Sequence, residues 1–175
     1  LIQVVGMHIL PDPIWSRRTS PFSWAGPKRM REPGIRFEDL PRIHYVLLSH
    51  NHYDHLDIAT MRMIQGAHHP KVVTPLGVRA FLDQQQIAGA TDLDWFDEHV
   101  LSEKVKVIAV PAQHFSGRGL KDGNKTLWSS WVLATQRHRA FFSGDTGLTT
   151  EYADTRAHFG PFDLVMLEIG AFHPA

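Results

Sequence analysis

Short apolar blocks, separated by stretches rich in Pro and Gly, run the length of this sequence. The opening LIQVVGMHIL predicts one strand over residues 1–10. Residues 11–36 have no apolar period and predict a long loop that carries Trp15, Phe22 and Trp24. The run 44–49 (HYVLLS) is short and apolar at its centre, as in a strand buried on both faces. Leu56, Ala59, Met63 and Ile64 recur at helical spacing, predicting a helix over about 56–65. Lys71-Val72-Val73 is a further short strand. Thr74 as cap and Pro75 as first helical residue predict a helix with Val78, Phe81 and Leu82 toward the core.

In the second half, Val105 to Val110 reads as a strand ending at Pro111. Residues 127–134 and 140–143 flank the polar turn 136–139 and predict a hairpin. A helix over about 151–159 would put Tyr152 and Phe159 on one face, with Gly160-Pro161 as its stop signal. Residues 162–169 predict a last buried strand. Strands alternating with helices, plus one hairpin, indicate a layered α/β domain.

Composition narrows the chemistry. A chain of 175 residues fits one domain able to bury roughly 70% of its unfolded surface. At 43% hydrophobic and 21% charged it is globular in type, which argues against disorder. The 18 basic and 18 acidic side chains cancel, so no global field draws in nucleic acid, and none is expected as a partner. The absence of cysteine excludes disulfides, thiolate nucleophiles and Cys-based metal sites. A metal site here must use imidazole and carboxylate, a donor set that suits Zn, Mn, Fe, Co or Ni, with Zn expected and Mn or Fe as the alternatives. No run approaches the roughly 20 apolar residues of a membrane span. The first ten residues lack an initiating Met, a basic n-region and a cleavage site, so they read as a strand in a piece of a longer protein. A cytoplasmic protein is expected.

The sharpest feature is Ser49-His50-Asn51-His52-Tyr53-Asp54-His55, directly after the strand 44–49. In an extended segment, residues two apart point the same way, so His50 and His52 can approach one cation together. A turn toward the next helix would bring Asp54 and His55 to a neighbouring position. As a plain polar loop this segment would need one Asp for helix capping and would leave three histidines unexplained. His114 and Asp145 also stand just past strand ends, the latter between glycines in FFSGDTG (141–147). Alone, His114 reads as an ordinary hydrogen-bonded residue and Gly-Asp-Thr-Gly as a turn. Beside the His-rich segment, both read as ligands. Asp57 is either an N-cap or a hydrogen-bond partner of a ligand imidazole.

His50-x-His52-x-Asp54-His55, then His114, then Asp145, resemble the ordered metal motifs of the metallo-β-lactamase superfamily. SPFSWAGPKR (20–29), LLSHNHYDHLD (47–57), PAQHFSGR (111–118), NKTLWSSWVL (124–133) and GPFDLVMLEIGAF (160–172) are similar to one subgroup. It contains N-acyl phosphatidylethanolamine-hydrolysing phospholipase D and its bacterial relatives. The resemblance implies a four-layer αββα sandwich with a dinuclear, zinc-type site at one edge of the paired sheets. It implies that His50, His52 and His114 bind one cation, that Asp54 and His55 bind the second, and that Asp145 bridges them. The family's pattern starts before Leu1 and ends later than this chain, so the domain is expected to be incomplete. A final ligand His follows the last strand after a further loop in relatives; His173 stands earlier than that. Pro11 takes the place of a Thr that relatives tend to have before Asp-Pro.

Two divalent cations about 3.5–4 Å apart can share a hydroxide for attack on phosphorus or carbonyl carbon. Asp54 and His55, with that hydroxide, are the expected catalytic groups. The resemblance implies hydrolysis of lipid-like phosphodiesters. A lactone or ester hydrolase, and an inactive metal-binding fragment, are the alternatives. Arg118 and Lys125, with Lys121, are candidate phosphate contacts near His114. The basic, aromatic loop 11–36 is a candidate for peripheral contact with a membrane.

Overall fold

A computed structural model describes residues 1–22 and 24–170. Among the described residues, ten strands form two five-stranded sheets. The first holds β1 (Ile2–Val4), β2 (Met7–Pro11), β3 (Tyr45–Leu47), β4 (Lys71–Pro75) and β5 (Ala90–Leu93), side by side in that order. The second runs from β6 (Glu98–Ser102) through β7 (Val105–Val110), β8 (Ser130–Thr135) and β9 (Arg139–Phe142) to β10 (Leu164–Met166). Three helices accompany them: α1 (Ile58–His68), α2 (Val78–Gln84) and α3 (Glu151–Phe159).

The period-two alternation of the strands decides the layering. Tyr45, Leu47, Ile9, Val73 and Leu93 of the first sheet pack against Val105, Val107, Ala109, Trp131 and Leu133 of the second. The neighbouring residues Leu10, Val46, Leu48 and Val72 face the other way and meet Met61, Ile64, Val78 and Leu82 of α1 and α2. On the far side, Ile108, Val110, Val132 and Phe141 are covered by Tyr152 and Phe159 of α3. The order helix, sheet, sheet, helix is the expected αββα sandwich. Buried aromatics keep their polar ends paired. Tyr45 donates its hydroxyl to Leu101 O at 2.9 Å, and Trp131 donates Nε1–H to Leu48 O at 3.0 Å, both across the sheets.

Several elements differ from the sequence-based expectation. Residues 1–10 form a hairpin, not one strand, because Val5 and Gly6 both take positive φ and turn the chain. Thr74 and Pro75 end β4 and do not cap α2. The cap comes from Asp92 on β5, whose carboxylate accepts from Gly77 N–H (2.8 Å), Arg79 N–H (2.9 Å) and Thr74 Oγ1 (2.6 Å). The strands β5 and β6 were not anticipated. The last strand is three residues long and half exposed, Leu164 at 49% and Val165 at 46%, since it pairs only with β9 among the described residues. The loop after β2 carries a short antiparallel ribbon, with Arg29 N–H donating to Arg17 O (2.8 Å) and Thr19 N–H to Pro27 O (3.2 Å).

Strand direction gathers the polar loops at one edge. β2 and β3 are parallel, so Asp12 and Ser49-His50 leave the first sheet at the same end. β7 and β9 each run antiparallel to β8, which sends His114 and Asp145 out at one end of the second sheet. The two ends meet where Ser129 N–H donates to Ser49 O at 2.9 Å.

Candidate metal centre

Five side chains from three segments converge at this edge. His50, His52 and His114 form one trio with ligand atoms mutually within 4.8 Å, and His50, His55 and Asp145 form a second. His50 Nε2 is 2.8 Å from His52 Nδ1, and His114 Nε2 is 3.2 Å from that same Nδ1. Asp145, a member of the second trio, also faces the first. Its Oδ1 is 3.0 Å from His55 Nε2, while Oδ2 is 4.0 Å from His50 Nε2 and 3.8 Å from His114 Nε2.

The local sequence explains the convergence. His52 O accepts from His55 N–H (3.1 Å) and Leu56 N–H (2.8 Å), closing a turn that carries His55 back toward His50. Gly144 has φ +56°, and a Cβ there would lie 2.5 Å from Ser49 Cβ, so only glycine lets the Asp145 loop approach β3 this closely. Asp57 caps α1, accepting from Ala59 N–H (3.1 Å), Thr60 Oγ1 (2.5 Å) and Ser16 N–H (3.1 Å). It is thereby committed to the helix start, one of its two expected roles.

A second layer, not anticipated from sequence, orients the imidazoles. Asp12 Oδ2 is 2.7 Å from His55 Nδ1, and its carboxylate also accepts from Ser49 N–H (2.7 Å) and Ser49 Oγ (2.5 Å). With its proton given to Asp12, Ser49 Oγ can accept Nδ1–H of His50 at 2.9 Å. His50 and His55 are thus held through Nδ1, leaving Nε2 of each toward the centre. Glu168, past β10, accepts Thr146 N–H at 2.8 Å beside Asp145. The one signal for Asp12 in the sequence is its place directly after a strand, the same placement that marks His50.

Electrostatics follow from this geometry. Burial, with His55, His52 and His114 close by, pushes His50 down to about 2. Burial also lowers His52 and His114. Burial opposes the charged form of His55 as well, yet its hydrogen bonds to Asp12 and Asp145 prevail and raise it to about 10. Asp145 is lowered: desolvation acts against this, but the His55 hydrogen bond and the surrounding imidazoles outweigh it. Without metal, then, a proton on His55 holds Asp12 and Asp145 together, and three neutral imidazoles stand beside it.

The donor set fits a cation. A tetrahedral ion with bonds of about 2.0–2.1 Å keeps neighbouring nitrogens about 3.3 Å apart. The imidazole contacts of 2.8 and 3.2 Å are close to that spacing. Without a cation, one Nδ1–H on His52 would serve as the donor in these contacts; a cation would instead take the lone pair of each ring.

Other anticipated residues lie elsewhere. Asp54 joins neither trio and is exposed; it sits on the wall of a cleft of about 260 Å³ with Arg17, Lys28 and Arg29. Arg118 donates Nη1–H to Asn51 O (2.7 Å) and Leu56 O (2.8 Å), with its guanidinium carbon 3.9 Å from the Tyr53 ring centre. It therefore clamps the backbone of the His-rich loop, and burial lowers its pKa. It also borders a cleft of about 570 Å³, which touches Tyr53 but none of the five clustered side chains. Lys125 is exposed and, among the described residues, makes no side-chain hydrogen bond or ion pair to the cluster. His173 lies outside the described residues.

A family model described as the β-lactamase superfamily domain matches residues 7–175. The chain belongs to the metallo-β-lactamase superfamily. Among relatives of this superfamily member, an uncharacterized protein of Mycobacterium tuberculosis is 41% identical over the whole chain, which spans 47% of that relative. N-acyl-phosphatidylethanolamine-hydrolyzing phospholipase D 1 of Caenorhabditis elegans is 37% identical, with 99% of this chain and 52% of the relative aligned. The chain thus spans about half the length of these relatives. Solved structures agree on the fold. An isothiocyanate hydrolase from Delia radicum gut bacteria superposes with a TM-score of 0.73 at 20% identity, covering 94% of this chain and 66% of that one. A possible metal-dependent hydrolase from Veillonella parvula gives 0.74 at 15% identity, covering 94% and 65%. The superfamily fold therefore carries, at the edge where its strand-end loops meet, a candidate His/Asp metal site.

Proposed function

We propose that this chain is the metal-binding core of a dinuclear, zinc-type phosphodiesterase acting on lipid-like substrates in the manner of a phospholipase D. The observation that carries this reading is the pair of trios sharing His50, with the Asp145 carboxylate 3.0 Å from His55 of its own trio and 3.8 Å from His114 of the other. His50, His52 and His114 would hold one cation. His55 and Asp54 would hold the second, with Asp145 shared, and Asp54 would have to turn inward from the exposed position it takes here. Similarity to phospholipases D from C. elegans and yeast supports the phosphodiester class.

When bound, two such cations lower the pKa of water toward neutrality and offset charge that develops on the phosphoryl oxygens. The protein's own part is orientation. Asp12 fixes His55, Ser49 fixes His50, and Arg118 and Tyr53 hold the loop that joins them. In the net reaction, water oxygen bonds to phosphorus, the P–O bond to the head-group alcohol breaks, and that alcohol leaves with a proton. Lipid access fits the ribbon after β2, whose tip exposes Phe22 (55%), Trp24 (76%) and, just beyond, Met30 (98%). No described helix is long and apolar enough to cross a membrane.

Hydrolysis of bis-p-nitrophenyl phosphate by the zinc-loaded protein, without lactone turnover, is the expected result. Lactone turnover without phosphodiester cleavage would overturn the phosphodiesterase reading.

A further inference from the structure

The ribbon that follows β2 places cations where the mechanism above has assigned none. Its two sides, tied by the Arg18–Lys28 bridge and the Arg29-to-Arg17 backbone bond, bring Arg17, Lys28 and Arg29 onto one cleft of about 260 Å³. Asp54 lies on the wall of that same cleft. Three cations therefore face one carboxylate, and Asp54 itself adjoins the His/Asp cluster through His55. Among the described residues, none of these three cations forms an ion pair, although Arg36, Arg79 and Lys106 elsewhere do. Arg29 donates Nη2–H to Ile14 O at 2.6 Å, which anchors it, while its Nε–H is buried without a partner. Arg17 and Lys28 are exposed, and their side chains make no hydrogen bond among the described residues.

Uncompensated cations gathered on a concave surface have a physical cost. Like charges held close repel, and an anion that enters relieves that repulsion while forming charge-assisted hydrogen bonds. The cleft is too small for a folded partner and lacks the apolar lining of an acyl-chain site: only Ile14 and Pro27 are apolar, beside Ser16 and Thr19. We propose that Arg17, Lys28 and Arg29 form a phosphate-binding subsite that seats an anionic group of the substrate beside Asp54. This rests on the phosphodiesterase reading for its place in the reaction, but not for the binding itself. Specificity for phosphorylated substrates thus lies on the ribbon, not on Arg118 or Lys125. Arg118 already spends its Nη1 on backbone carbonyls.

The test uses Arg17→Ala, Lys28→Ala and the double variant. Both side chains are exposed and the ribbon is held by backbone bonds, so folding should persist; Arg29 is left intact because it anchors Ile14. Metal-stripped protein is titrated with inorganic phosphate and with glycerol 3-phosphate, and separately sedimented with phosphatidylcholine vesicles with or without phosphatidic acid. Each single variant should weaken phosphate binding roughly 3- to 10-fold, the double variant more, with the differences shrinking as salt rises. A response confined to the soluble phosphates assigns the subsite to a free organic phosphate. A response confined to phosphatidic acid vesicles assigns it to a lipid head group. Equal binding by wild type and double variant in both formats, or none by wild type, overturns the subsite. Phosphodiester hydrolysis by the metal-loaded wild type is measured in parallel. If hydrolysis fails while the variants lose phosphate, the subsite stands and the phosphodiesterase reading falls; the reverse pattern has the opposite meaning.

Discussion

Asp12 shows how much of the centre depends on a residue that binds no metal in this account. It follows β2 with φ +37°, and its carboxylate takes three hydrogen bonds from Ser49 and His55. Asp12→Ala should weaken metal affinity about 10- to 100-fold, measured by competition with a chromophoric chelator, and Asp12→Asn should weaken it less. The clustered histidines also predict how the metal-free protein responds to pH. His50 falls to about 2, below its ordinary 6.5, so the unfolded chain binds more protons between those values and stability drops as pH falls below about 6.5. His55 rises to about 10, so its contribution is complete below about 6.5 and is lost as pH rises toward 10. Thermal melts of the chelator-treated protein should peak near pH 6.5, and His55→Gln should flatten the alkaline side. His50, His52 and His114 are legible from sequence because each follows a strand end and two are adjacent in a motif. Asp12 is not, since its partnership with His55 spans 43 residues and exists only because β2 and β3 run parallel.

At the scale of elements, local patterns were readable where packing agreed with them and misleading where it did not. β3, α1, α3 and the β8–β9 hairpin fall close to the positions their apolar periods predict. The hairpin at residues 1–10 escaped notice because a single Gly6 marks its turn. β5 and β6 were missed because short, half-polar strands such as Ala90–Leu93 become strands only through pairing with β4 and β7. Thr74-Pro75 resembles a helix start, yet the helix is capped from a different strand by Asp92. Asp92→Ala should therefore cost about 1–2 kcal/mol in denaturant unfolding, with metal content unchanged. Gly144→Ala is a different case. It imposes a positive φ on alanine and a Cβ against Ser49, and should cost roughly 2 kcal/mol or more, lowering metal affinity as well because Ser49 and Asp145 are displaced together.

At the scale of the whole molecule, the sandwich brings four strand ends to one edge, and the candidate chemistry stands on their loops. Its stability and its site are coupled through Trp131, which fills the space between the sheets and donates to Leu48 O just before His50. The ribbon after β2 extends the same edge outward with a basic stem and an aromatic tip. If that tip meets lipid, Trp24→Ala should lower co-sedimentation with phospholipid vesicles by about threefold to tenfold, with the melting temperature unchanged. All of this stands on two cations being held by one constellation. The most direct measurement is the metal stoichiometry of the purified protein beside His50→Ala, by elemental analysis. About two divalent ions per chain are expected in the wild type, with loss of the first-site ion in the variant; full metal content in His50→Ala, or none in the wild type, would refute the shared constellation.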